Sequence, residues 1–219
     1  MRTFLHRNGL SVAALGLFLV FWVAQALTGF SEYNDQLREH GHRALSPGQY
    51  LRSGDFWEST GENWESEFFQ MAAFVLLTAF LYQKGSAESN TLPEEGGEEE
   101  EKTAASGDPP PGPVRRGGWR LRLYAHSLSL ALGLLFALSF VVHLLGGAAA
   151  HNAQEALHGG EAVTPLAFLG MAEFWSQSFE NWQSEFLSVG AMVLLTIFLR
   201  ERNSAESKDV EAPHSKTGK

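Results

Sequence analysis

The stretch Phe56–Ser89 recurs without a gap as Phe174–Ser207, at a constant offset of 118 residues, and nineteen of its thirty-four positions are identical. The same offset holds upstream, where Asn34, Gln36, His40, Gly41 and Pro47 fall on Asn152, Gln154, His158, Gly159 and Pro165. Farther up, Ser11, Leu17, Phe18, Val23, Leu27 and Gly29 fall on Ser129, Leu135, Phe136, Val141, Leu145 and Gly147. The chain is one unit of two apolar segments, duplicated, so each shared feature is a comparison of the unit with itself.

Those segments decide the class. Leu10–Leu27 and Leu123–Leu145 are long, uncharged and rich in Leu, Ala, Val and Phe, while Phe68–Tyr82 and Phe186–Leu199 are shorter and also free of charge. About 18 or more such residues cross a bilayer core of ~30 Å. The slightly negative mean hydropathy comes from polar tails and a long polar linker. The sequence predicts an all-α membrane protein with four transmembrane helices, built from two tandem, parallel-oriented two-span repeats.

Residues 1–89 form the first repeat, with spans near 9–29 and 63–82, and 119–207 the second, with spans near 123–146 and 181–199. Arg2, Arg7 and the small-x-small Ala24–Ala26 also suit a cleaved signal. The match of 11–29 to the mid-chain 129–147 predicts instead that the first span is retained. Residues 90–118 carry Glu98–Glu101 and Pro109–Pro111 and read as a disordered, acidic, proline-rich cytoplasmic linker; 208–219 read as a disordered tail.

Charge sets the expected orientation. With four spans, thirteen Lys and Arg fall on the side of both termini, against only Arg38, Arg43 and Arg52 on the other. The positive-inside rule then puts both termini in the cytoplasm. Thirteen Asp and Glu fall on the outer side, where much of the net charge of −9 lies. Such a face repels nucleic acid and admits cations. With no Cys, disulfides, thiolate metal sites and thiol catalysis are excluded.

In each outer loop, Ser46-Pro47 and Thr164-Pro165 match an N-cap with proline at the first helical position, predicting a short interfacial helix. Gly85 and Asn203, at equivalent positions after a basic turn, suit a left-handed helix stop.

The sharpest shared motif is ENWxSEF, at Glu62–Phe68 and Glu180–Phe186. At 100° per residue, Asn63, Ser66, Glu67 and Gln70 share about one third of the helix circumference, as do Asn181, Ser184, Glu185 and Ser188. Fifteen residues from Phe68 to Tyr82 span only ~22 Å, so either the membrane thins or the stripe lies within it. A lipid-facing Glu is costly, which predicts stripes turned inward and meeting near a pseudo-twofold axis. The competing account is a wetted interface, with Trp57, Trp64, Trp175 and Trp182 as an aromatic belt.

His40 and His158 are equivalent loop residues, each followed by Gly; with nearby carboxylates they are weak candidates for a cation site, and turn geometry explains them as well. His143 is matched by Gln25, which disfavours a symmetric bis-His haem site. No catalytic spacing, nucleotide fingerprint or cofactor motif is present.

The run Asn8–Ser11, Thr28-Gly29, Tyr33-Asn34, His40-Gly41, Phe56-Trp57, Glu62–Phe68 and Val75–Ser89 resembles a family of bacterial membrane proteins catalogued only as a domain of unknown function. The resemblance implies a bacterial cytoplasmic membrane location and brings no activity, cofactor or site residues. From the residues, the expected function is that of a non-enzymatic integral membrane protein whose stripes serve helix assembly or small-ligand binding. Its partners would be lipid and a second copy of the chain. The alternative is a proton or cation translocator using Glu67 and Glu185. The stripe is not continuous, since inward of Gln70 only Thr78 and Thr196 are polar and repeated.

Overall fold

The duplicated hydrophobic pattern dictates long helices broken by Gly, Pro and polar turns. A computed structural model describes residues 2–95 and 109–218. Among them it places α1 (Arg2–Glu39), α2 (Pro47–Tyr50), α3 (Gly54–Phe80), α4 (Gly112–Arg116), α5 (Gly118–Ala125), α6 (Ser127–His158), α7 (Pro165–Leu169) and α8 (Ala172–Phe198). No strand occurs among the described residues.

Two helices, α1 over Phe4–Glu39 and α6 over Ser127–His158, are long and apolar enough to cross a membrane. Four were expected. The helices α3 and α8 are each 27 residues long, yet the polar turns around ENWxSEF leave each apolar part too short to qualify. Large apolar side chains point outward along α1, with Leu10, Leu15, Val20 and Phe21 all more than half exposed. An exposed apolar surface is what lipid contact requires.

Element ends depart from the expected spans in a consistent way. Helix α1 runs on to Glu39, kinked at Asn8, and the third apolar segment is broken at His126 between α5 and α6. Helices α3 and α8 begin nine residues earlier than the expected spans, at Gly54 and Ala172. The short helices after the loops form where the Ser-Pro and Thr-Pro pairs predict. Thr164 Oγ1 caps α7 by accepting from Ala167 N at 3.2 Å, while at α2 the Gln49 side chain accepts from Ser46 N at 2.8 Å.

The compact units are not the sequence repeats. Unit 1 takes Met1–Gly61 with Val141–Phe174, and unit 2 takes Glu62–Phe140 with Trp175–Lys219. Each therefore draws on both copies.

In unit 1, α3 meets both α1 and α6. Against α1, Gln25 Nε2 donates to Ser59 Oγ at 2.8 Å and the Trp22 and Phe56 rings lie 6.0 Å apart. Against α6 the approach is backbone to backbone: a Cβ on Gly54 would lie 2.6 Å from Ala149 C, and one on Gly61 2.7 Å from His143 Cα. Gly146 returns the contact, since its Cβ would lie 2.6 Å from Trp57 C. Small residues at such a crossing let dispersion act over many atoms, the usual means of joining helices in lipid. His143, fully buried, stacks on Phe174 at 4.5 Å.

In unit 2, the helix ends after α3 and α8 repeat one turn. Ser89 Oγ accepts from Gln83 N at 3.0 Å and Ser207 Oγ from Glu201 N at 2.9 Å. Ser86 Oγ accepts from Glu88 N, and Ser204 Oγ from Glu206 N, both at 3.1 Å. Gly85 and Asn203 take left-handed φ values of 82° and 66°, as the turn requires.

Residues 208–218, expected as a disordered tail, are ordered turns in this unit. The Lys208 ammonium is buried and donates to the carbonyls of Gly85, His214 and Lys216 at 2.5, 3.2 and 2.9 Å, and Thr217 Oγ1 accepts from Gly85 N at 3.0 Å. A buried cation ringed by carbonyls supplies the ordering that composition does not. Of the expected linker, residues 96–108 lie outside the described residues, and residues 112–116 form α4.

Candidate functional site

The expected stripe is assembled only in part, all of it within unit 2. Asn63 and Glu67 are exposed, Gln70 is half-buried, and Ser66 is buried with its Oγ donating to Asn63 O at 2.9 Å. In the second copy, Asn181 and Glu185 are half-buried, and Ser184 and Ser188 are exposed. Asn181 Nδ2 donates to Gln177 O at 3.0 Å, Ser184 Oγ to Asn181 O and Ser188 Oγ to Glu185 O, both at 2.8 Å. These donors go to their own helix, as Ser and Asn do when no other acceptor competes.

The carboxylate that α3 buries is Glu65, not Glu67. Helical register explains the difference. Glu65 lies on the face of Gly54 and Gly61, the face that approaches α6, and Glu67 lies on the far side of the helix. The spacing Gly54–Gly61–Glu65 was the readable signal. The copy of Glu65 in the second repeat is Gln183, which is exposed.

What does join the two motif copies is aromatic. The Phe69 ring lies 4.4 Å from Trp182 and 5.7 Å from Phe186, with Phe136 at 5.3 Å. Glu185 is close enough to Glu67 for their charges to interact.

Unit 1 holds a second constellation, repeated in both copies. Gly29 faces Tyr50 Oη and Gly147 faces the Phe168 ring, where a Cβ would lie 2.6 Å from Cε1. Asn34 grips the loop ahead of α2 by accepting from Leu45 N at 2.6 Å and donating to Leu45 O at 3.2 Å. Asn152 does the same with Val163, at 2.7 and 2.9 Å. Gly41 and Gly159 share a φ of 74°. These shared residues are thus ones that close the loop.

Behind these loops sit two equivalent acids. The Tyr50 hydroxyl neighbours the Asp55 carboxyl. Burial pushes the Asp55 carboxyl above its ordinary value and Glu32 adds to the rise, against the pull of the Tyr50 hydroxyl. Burial, with the charge of Asp55, pushes the Tyr50 phenol up as well. At the equivalent place Glu173 Oε2 pairs with His151 Nδ1 at 2.8 Å. His151 is the counterpart of Tyr33, whose ring lies 6.0 Å from Tyr50.

His40 and His158, the weak metal candidates, do come together. Their ring centres are 5.3 Å apart, edge to face, and both residues are exposed. His40 Nδ1 lies 2.9 Å from Gln36 O and His158 Nδ1 3.0 Å from Gln154 O.

The model of a family described as a domain of unknown function (DUF6766) matches residues 1–219. No curated protein matches the chain, and no solved structure does.

Proposed function

As the chain belongs to the DUF6766 family, from which no activity follows, we propose from its own geometry that it is a non-enzymatic integral membrane protein whose repeated motif serves helix assembly. In this reading α3 and α8 join α1 and α6 as spans, giving four, with both termini in the bacterial cytoplasm. At ~1.5 Å per residue, 27-residue helices reach ~40 Å, ample for a bilayer once their polar turns are turned to protein or headgroups. The observation that carries the assembly role is the Phe69 ring of α3 lodged against Trp182 and Phe186 of α8, so that the two copies of the motif's helix meet. Ser66, Ser184 and Ser188 support it, because their hydroxyls are spent on their own backbone rather than on a ligand. A homo-oligomer extends the same reading to exposed apolar surface.

The rival reading is a proton or cation translocator, favoured by the charge interaction between Glu67 and Glu185. One pair of measurements separates them. Under the assembly reading Phe69→Ala lowers stability in detergent by about 3 kcal/mol, and Glu67→Gln leaves ion flux in proteoliposomes at the level of empty vesicles, as for the parent protein. Flux that the parent supports and Glu67→Gln abolishes establishes the translocator instead.

A further inference from the structure

The pairing of His40 with His158 is not accounted for by loop closure. Closing each loop uses Nδ1 alone: in both copies it faces the carbonyl four residues earlier, at 2.9 and 3.0 Å. A carbonyl only accepts, so each neutral ring carries its proton on Nδ1 and its lone pair on Nε2. Neither Nε2 has a hydrogen-bond partner among the described residues. A histidine whose Nδ1–H is held by a backbone carbonyl is oriented as metal-ligating histidines are.

We propose that His40 and His158 form a two-imidazole site for a divalent first-row transition ion such as Zn²⁺, one ligand from each copy of the repeat. The spacing fits. A Zn–N bond of ~2.0–2.1 Å sets each ring centre about 3 Å from the metal, and a near-tetrahedral angle then puts the two centres about 5 Å apart. The observed separation is 5.3 Å. The near-perpendicular ring planes, at 78°, are no obstacle, because rotation about each metal–nitrogen bond leaves that separation unchanged. Both residues are exposed, so water completes the coordination sphere; among the described residues no group of three or more His, Cys, Asp or Glu lies close enough to do so. Imidazole is the borderline donor that such ions prefer, and a chain without Cys has no softer one to offer. The site sits at the C-terminal ends of α1 and α6, so a bound ion cross-links the two repeats at their loop ends. It does not depend on the assembly role of Phe69.

The test uses the full chain in detergent, purified without a histidine tag and titrated with Zn²⁺ and with Co²⁺. The parent is expected to bind one ion per chain. His40→Asn and His158→Asn keep a donor where Nδ1 stood and remove only Nε2, so each folds as the parent and weakens binding at least tenfold. His42→Asn, a change two residues from His40, leaves affinity unchanged. Failure of the parent to bind either ion overturns the proposal. So does a His40→Asn or His158→Asn variant that binds as tightly as the parent.

Discussion

The two copies close their loops with the same residues and then differ in what they place behind them. Gly29, Asn34, His40 and Gly41 act as Gly147, Asn152, His158 and Gly159 do, down to bond lengths within a few tenths of an ångström. Yet Asp55 is held by a tyrosine hydroxyl and Glu173 by an imidazole. The copies also differ in how they meet neighbouring helices. α3 presents Gly54 and Gly61 to the α6 backbone, whereas the equivalent residues of α8 are Ala172 and an exposed Phe179. The two copies share backbone geometry and differ in side-chain chemistry on helix faces. A hydrogen bond to a loop carbonyl has few substitutes; a helix face can be repacked if its volume is balanced.

The largest difference between the copies is expected at Gly61. Any side chain there must displace the α6 backbone, with His143 Cα 2.7 Å from even a Cβ. Gly61→Leu is therefore expected to cost at least ~3 kcal/mol or to prevent recovery of folded protein, since overpacking at a well-packed contact costs about 1–3 kcal/mol when side chains alone can yield. Phe179→Leu, the same residue in the other copy, is expected to change stability by less than about 1 kcal/mol, because the ring is 56% exposed. Thermal unfolding of both variants in one detergent checks the contrast. Equal losses would mean that α8 uses that face as α3 does.

This asymmetry also marks where sequence reading stops. The long apolar helices, the short helices after Ser46 and Thr164 and the left-handed residues Gly85 and Asn203 were legible because each depends on local chemistry. The pairing of Tyr50 with Asp55 and of His151 with Glu173 was not, since the shared signal is a carboxylate at one position while its partner changes type. Glu65 was not legible, for a different reason: its copy is Gln183. Comparing copies favours what both keep, and the buried acid is one that only the first copy keeps. The tail was missed because its order comes from one lysine that joins the tail's own carbonyls to one far away in sequence, that of Gly85.

A smaller contrast is expected where the copies end their second helices. Gly85 and Asn203 both sit at positive φ, so alanine at either costs roughly 1–2 kcal/mol for the left-handed backbone alone. At Gly85 the added Cβ would also lie 2.5 Å from His214 O, in the ordered tail. Gly85→Ala is therefore expected to be the more damaging of the two and to expose the tail to protease at Lys208 and Lys216. Asn203→Ala leaves the tail protected. Limited trypsin digestion followed by mass measurement distinguishes them, and an equally protected tail in both variants would show that the His214 contact adjusts without cost.

The smallest effect is expected at Asp55, and pH is the variable that reveals it. Burial raises Asp55 above its reference value of 3.8. Over the interval between that value and the folded one, the folded protein holds a proton that the unfolded chain has released. Stability from the neutral carboxyl is complete below the unfolded value and is lost as pH rises through the folded one. The parent should thus lose stability on going from about pH 4 toward neutral at this site. Asp55→Asn removes that slope and still offers the Tyr50 hydroxyl an acceptor. Tyr50→Phe makes the first copy carry the ring that Phe168 gives the second. It deletes the hydroxyl that lowers the Asp55 value, so the loss should extend to higher pH, with a further cost of about 1 kcal/mol where Asp55 is ionised. Unfolding midpoints of the three proteins across this range decide the matter. If Asp55→Asn keeps the parent's slope, another group carries it; if Tyr50→Phe moves the loss to lower pH, the hydroxyl does not hold the charged acid.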